Sequence, residues 1–320
     1  MIEYRCFQNS DPLQLVKLWH NCDLGRGAVA DLDSEVLDVF NFGQPYFDPH
    51  GLILACNDSH IVGFVHAGFG CNTDGTNLSL KDGVLCAIMV HPDARRQGIG
   101  RELVARAERY LQASGATTIQ AGPAEPRDPF YFGLYGGSQP VGFLRSDVHA
   151  ATFWKALDYI PIQRHLIYQR NLNQTRDPVS IRLSNIRRKT IFVIDDHWKS
   201  PSWWWTTRFG RLESQRFQLI GKDGAVSEPF ASVTILSLDL FLSKWERRAV
   251  GLSDLFVPEE HRRQGYGQTL VLEVGRRLQQ ESITCIEAHA LDSNPAAIAV
   301  FESAGFEQVD IGVVYQRLAD

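Results

Sequence analysis

Residues 94–100 read ARRQGIG, and residues 261–267 read HRRQGYG. Two arginines, a glutamine and two alternating glycines could be a chance turn once, but their return in one chain asks for a common cause. The offset of 167 between the strings holds without gaps well beyond them. Laying 90–122 on 257–289 leaves 14 of 33 positions identical, from Val90/Val257 to Ala121/Ala288. That self-similarity marks two copies of one supersecondary unit.

Each copy reads the same way locally. LCAIMV (85–90) and LSDLFV (252–257) are short, apolar and β-prone, which predicts strands. The arginine/glycine string follows directly. Leu103, Val104, Ala107 and Leu111, matched by Leu270, Val271, Val274 and Leu278, then fall on one helical face. Gly115 is placed to stop the first helix. TTIQA and TCIEA read as the next strand, parallel to the first. The unit is strand, tight loop, helix, strand, and the fold class is α/β of the α+β type.

Glycines at alternate loop positions allow close backbone approach and torsions that a side chain resists. A helix opening at that point adds free N–H groups and the positive end of its dipole. Together they make an anion site suited to phosphate or diphosphate. The dinucleotide pattern GxGxxG fails, because Leu103 and Leu270 stand where its third glycine belongs. The P-loop pattern fails for want of a Lys-Ser or Lys-Thr pair.

What remains, R-x-x-G-x-G between a strand and a helix, resembles the acetyl-CoA signature of the GCN5-related N-acetyltransferase (GNAT) family. VHPDARRQGIG and VPEEHRRQGYG carry it. NPAAIAVFESAGF (294–306) resembles the family's later helix-and-turn motif, and DVHAATFWKALDY (147–159) is a looser version. Upstream, MIEYRCF, DPLQLVKLWHNC, SEVLDVFNFG and LILACNDSHIVGFVHAGF follow the family's order of strand, helix, helix and hairpin, with Asn57-Asp58 at the hairpin turn. The resemblance implies two tandem acyl-CoA N-acyltransferase domains, each a mixed sheet flanked by helices, at 1–172 and 178–320. The stretch around Pro178 reads as linker.

By that resemblance the donor is held by Met89, Val90, Arg95, Arg96, Gln97, Gly98, Ile99, Gly100 and Arg101 in the first copy. In the second it is held by Phe256, Val257, Arg262, Arg263, Gln264, Gly265, Tyr266, Gly267, Gln268 and Asn294. The reaction implied is acetyl transfer from acetyl-CoA to a primary amine of a small molecule or peptide, by direct attack on the thioester. Asp254, on the second copy's strand, is the candidate base. The family's tyrosine acid is replaced by Trp154 and Phe301, so Tyr135 and Tyr315 are candidate substitutes, with Tyr131 beside them. Cys86 and His149 are weaker candidates in the first copy. On these residues the second copy is expected to carry catalysis. The alternative is a weak or inactive acyl-CoA-binding regulatory or scaffold protein, and an O- or S-acyltransferase is a third reading.

An insert of about 20 residues within 122–147 is rich in Gly, Pro and aromatics. A lid near the acceptor side and a packing segment covering the other domain are both open readings for it. Trp203, Trp204 and Trp205 are expected to pack a domain interface rather than line an acceptor pocket. Net charge of −5 without a basic block argues against nucleic acid. The six cysteines are scattered without CxxC spacing, which suggests a reducing compartment and no metal. No apolar run reaches about 18 residues and no basic-then-apolar leader opens the chain. The expectation is a cytoplasmic monomer or homodimer with no membrane partner.

Overall fold

The computed structural model describes residues 1–195, 198–222 and 228–317. In chain order the elements begin with β1 (Ile2–Cys6), α1 (Pro12–Asn21), α2 (Ser34–Leu37), β2 (Leu52–Asn57), β3 (His60–Cys71) and β4 (Leu78–Val90). They continue with α3 (Ile99–Ala113), β5 (Thr118–Ala121), β6 (Phe143–Leu144), α4 (Ala150–Lys155) and β7 (Tyr159–Asn171). The second half holds α5 (Ile181–Lys189), β8 (Thr190–Ile194), α6 (Trp203–Phe209), β9 (Ser214–Gly221), β10 (Ala231–Ser237) and α7 (Leu242–Trp245). It closes with β11 (Ala249–Phe256), α8 (Tyr266–Gln280), β12 (Cys285–Leu291), α9 (Pro295–Ser303) and β13 (Glu307–Arg317).

The chain folds as two units, and they interleave along the sequence. Unit 1 comprises Met1–Arg164, Ser200–Arg211 and Ile311–Asp320, and unit 2 comprises His165–Lys199 and Leu212–Asp310. Strand β7 therefore changes unit at Arg164/His165, and β13 changes back at Asp310/Ile311. Unit 1 owns β13 from Ile311 onward and the tryptophan helix α6.

In unit 1, β1 to β4 form an antiparallel run, β4 pairs parallel with β5, and β5 pairs antiparallel with β13. The face covered by α3 buries Val65, Ala67 and Leu85 against Leu103, Val104, Ala107 and Leu111, the helical face read from sequence. Fully burying one such leucine contributes about 2 kcal/mol. Gly115, at φ +108°, follows the end of α3, where the left-handed conformation favours glycine. In unit 2, β8 to β11 are antiparallel, β11 pairs parallel with β12, and β12 pairs antiparallel with residues 165–171 of β7. Leu270, Val271, Val274 and Leu278 of α8 are fully buried against Val233, Leu252 and Ile286.

Two regions differ in organisation. The insert after β5 is a packed part of unit 1: Phe130, Tyr131, Phe132 and Leu134 are all buried, so it packs and does not hang as a lid. At the front of the second copy, α5 precedes the edge strand β8, whereas in the first copy β1 precedes α1. Trp204 and Trp205 are buried, and Asp128, itself fully buried, pairs with Arg208 and accepts a bond from Trp204 Nε1 at 3.2 Å. No described helix is long and apolar enough to cross a membrane.

Candidate functional site

The repeated string builds the same loop twice. In loop 1 a single turn at Pro92–Ala94 leads out of β4, and in loop 2 Glu259–His261 does the same after β11. Arg95 Nε donates to the Val90 carbonyl at 3.0 Å, and Arg262 Nε donates to the Val257 carbonyl at 3.1 Å. The first arginine of each string is thus a staple across the strand end. The glutamine is a second staple: Gln97 Nε2 donates to the Asp93 carbonyl at 3.3 Å, and Gln264 Nε2 to the Glu260 carbonyl at 2.7 Å.

The second arginine and first glycine of each string take left-handed backbone, with φ of +63° and +82° at Arg96 and Gly98, and +58° and +94° at Arg263 and Gly265. This torsion pair cups successive amides into a concavity. The first bond inside each helix runs from Glu102 N to the Gly98 carbonyl and from Thr269 N to the Gly265 carbonyl. The amides before it are the ones a helix start offers to an anion. The second glycine has a different cause. A Cβ at Gly100 would lie 2.9 Å from Phe153 of α4, and one at Gly267 would approach Val257 and Val300 of α9 at 3.3 and 3.6 Å. That glycine lets the closing helix pack against the loop.

Each sheet opens beside its loop. Parallel pairing between β4 and β5 stops at Leu85↔Ala121 although β4 continues to Val90. Between β11 and β12 it stops at Gly251↔Glu287 although β11 continues to Phe256. Bulges bend both diverging strands: Cys86 is the extra residue against β3, and Asp254 and Leu255 lie across the shift against β10.

The first opening leads into a cleft. A cavity of about 460 Å³ is lined by the end of β4 (Ile88, Met89, Val90), by Arg95, Arg96, Gly98, Ile99, Gly100 and Arg101, and by α4 from Ala150 to Trp154. Cys22, Asp23, Leu24, Phe143, Asp147 and His149 complete the wall. Burial raises the Asp147 carboxyl above the usual carboxylate range, opposed by hydrogen bonds from the His149 and Ala150 amides. Burial likewise raises the Cys22 thiol, with Arg95 pulling the other way. Trp154 is fully buried, and its indole N–H has no partner among the described residues.

The expected site residues separate accordingly. Met89, Val90, Arg95, Arg96, Gly98, Ile99, Gly100 and Arg101 meet at this cleft, while the Gln97 side chain is spent inside the loop. Phe256, Val257, Arg262, Arg263, Gln264, Gly265, Tyr266, Gly267 and Gln268 surround loop 2, where Gln268 Nε2 bonds the Ser303 carbonyl at 2.8 Å. Asn294 caps α9, accepting from Ala297 N at 3.1 Å. Asp254 is exposed on β11 with φ +52°. The Tyr135 hydroxyl accepts from Leu144 N at 3.0 Å. Tyr131 bonds His66 Nδ1 at 3.1 Å, and both are buried. Tyr315 is in unit 1, opposite Ala121 where β5 ends, stacked on Trp154 with centroids 6.4 Å apart. Asp147, Asp23 and Cys22 line the cleft and were not singled out from sequence. For Asp147 a signal existed, since it opens the segment that matches the Asn294 motif.

The GNAT acetyltransferase family matches residues 19–135 and again 190–306. A curated acetyltransferase of Yersinia enterocolitica is 31% identical over 134 residues, which is 42% of this chain and 84% of that protein. An acetyltransferase of Yersinia pestis (strain Pestoides F) is 30% identical over the same length and shares. Among solved structures, a tandem GNAT protein from the clavulanic acid biosynthesis pathway aligns over 100% of both chains with TM-score 0.66 and 17% identity. A GCN5-related N-acetyltransferase from Sphaerobacter thermophilus aligns over 99% of this chain and 95% of its own, with TM-score 0.61 and 14% identity. With two matches covering most of its length, and the loop, splay and bulge built twice, the chain belongs to the GNAT acetyltransferase family as a tandem member.

Proposed function

We propose that the protein is an acetyl-CoA-dependent N-acetyltransferase that acts on a primary amine of a small molecule or peptide and binds its donor at loop 1. The observation that carries this reading is the cleft in unit 1, which joins the amide concavity of loop 1, the diverging end of β4 and the apolar wall of α4. A diphosphate fits the loop amides, with Arg96 and Arg101 at the rim. An extended arm fits the gap where β4 and β5 part. Trp154 offers an unpaired N–H beside that path.

The neutral amine attacks the thioester carbonyl carbon. The C–N bond forms, the C–S bond breaks, and the proton of the amine passes to a base. Asp147 and Asp23 are the carboxylates lining the cleft, and burial raises the Asp147 carboxyl, which strengthens its ionised form as a base. Tyr315, stacked on Trp154 of the cleft wall, is our candidate to protonate the departing thiolate. Burial raises its phenol, so it keeps its proton through the neutral range. This assignment moves the chemistry to the first copy and leaves Asp254 outside it.

The test is release of free thiol from acetyl-CoA across a panel of primary amines, for the wild type and for Gly98→Asp. Turnover with at least one amine, lost in the variant, is expected. Tight CoA binding with no thiol release for any amine would turn the reading toward a donor-binding regulatory protein.

A further inference from the structure

The insert after β5 returns to the sheet as β6, at the inner end of the cleft. Parallel pairing of β5 with β4 ends at Leu85↔Ala121, and Gly122 N still donates to the Leu85 carbonyl at 2.9 Å. Strand β13 pairs with β5 through Gln316 and Tyr315, and with β6 through Val313 and Gly312. The row along β13 that β5 leaves is thus filled by Phe143 and Leu144. Val313, the partner of Phe143, is two residues from Tyr315, so Phe143 stands about 7 Å beyond the point where β4 and β5 part. Loop 1 lies at the other end of the free stretch of β4, after Val90.

Close backbone crossings fix β6 in that place. A Cβ at Gly122 would lie 2.7 Å from Gly142 Cα, one at Gly142 would overlap the Val313 carbonyl, and one at Gly312 would overlap the Val141 carbonyl. Gly142 N also donates to the Pro123 carbonyl at 2.7 Å. Phe143 is buried and packs on Trp154 of α4, with ring centroids 5.1 Å apart. Tyr159 and Tyr315 back Trp154 in turn, at 5.0 and 6.4 Å. Phe143 and Trp154 line the cleft, whereas Tyr159, Tyr315, Leu85 and Ala121 do not. The cleft stops at two rings that are held from behind, and close-packed rings of that kind give little room to an added methylene.

We infer that Phe143, carried in by the insert, and Trp154 form the end wall against which the acyl group of the donor rests, so that the site accepts acetyl and excludes longer acyl chains. The insert is then a specificity element of the donor cleft as well as a packed part of unit 1. The inference rests on the assignment of the donor to loop 1.

The experiment is isothermal titration of the full chain with acetyl-CoA, butyryl-CoA and hexanoyl-CoA, counting only the binding that Gly98→Asp removes. The readout is the ratio of each Kd to that of acetyl-CoA. In the wild type the hexanoyl ratio should be about tenfold or more, with butyryl between, because the added methylenes meet a filled wall. Phe143→Ala should bring the hexanoyl ratio close to unity. Phe143→Leu, which leaves a smaller cavity, should give an intermediate ratio. A Phe143 that only supports the fold would change every Kd together and leave the ratios where they were. A wild-type hexanoyl ratio close to unity, or a ratio unmoved in both variants, would overturn the end wall while leaving donor binding at loop 1 standing. Absence of any acetyl-CoA binding that Gly98→Asp removes would overturn both assignments.

Discussion

Around Gly98 the backbone faces open space and a cleft begins; around Gly265 the same backbone faces the guanidinium of Arg182 and the side chain of Ile186. Neither set of neighbours belongs to its loop. The torsions come from six or seven local residues, and the staples Arg95/Arg262 and Gln97/Gln264 reproduce them in both places. The surroundings come from elsewhere: α4 and the end of α1 at loop 1, α5 at loop 2. A motif therefore specifies a conformation able to hold an anion, and elements 50 to 80 residues away decide what surrounds it.

The largest expected effect concerns what unit 1 borrows. Ending the chain at Asp310 removes the strand that pairs with β5 at Gln120 and Ala121 and with β6 at Phe143 and Leu144. It also removes Tyr315. Acetyl transfer should be undetectable in that truncated chain even though loop 1, more than 200 residues earlier, is intact. Retained turnover would show that the first copy stands without the last strand and would break the interleaved description of the units.

Next is the second borrowed piece, α6. Asp128 and Arg208 are both buried, and Trp204 Nε1 joins them. Asp128→Ala removes the carboxylate that pairs with the buried guanidinium of Arg208 and should cost about 3–5 kcal/mol. The double variant Asp128→Leu/Arg208→Met should cost less than Asp128→Ala alone, because both charges of the pair leave together. Urea denaturation of both variants checks the order, and a single variant within 1 kcal/mol of wild type would mean that α6 does not pack on unit 1.

These borrowed parts also mark what could be read from the sequence. Strand, loop, helix and strand were legible twice because their determinants are local: apolar periodicity, alternate glycines, a glycine after the helix. The residues of both glycine loops followed from them. The exchange of β7 and β13 was not legible, since TTIQA and the last strand sit almost 200 residues apart and nothing in either names its partner. Asp147 was hidden for another reason. A carboxylate that bonds a turn amide and one in a cleft look alike until the cavity is known: Asp147 Oδ1 accepts from His149 N and also lines the cleft. Arg182 lies in a segment that reads as an ordinary amphipathic turn, and only packing turns it toward a loop 81 residues later.

Tyr315 sharpens the comparison kinetically. If loop 1 is the working site, Tyr315→Phe should lower kcat about 100-fold, within the range a positioned acid supplies, while CoA affinity stays unchanged. Burial keeps the phenol protonated, so no alkaline loss of activity from this group is expected near neutrality. A fall in CoA affinity with kcat unchanged would make Tyr315 a wall of the cleft and nothing more.

The smallest effect isolates the loops themselves. Gly98→Ala and Gly265→Ala both force alanine into left-handed backbone, a cost of about 1–2 kcal/mol each. At Gly98 that is the whole expected cost, because the new methyl meets no atom. At Gly265 the methyl would stand 3.0 Å from Arg182 Nε, so either the two hydrogen bonds to the loop carbonyls break or α5 shifts. The second substitution should therefore exceed the first by about 1 kcal/mol, the size of one lost hydrogen bond. Urea midpoints of the two variants, measured side by side, give the difference directly. Equal costs would place α5 away from loop 2 in solution, and the difference in surroundings between the two loops would go with it.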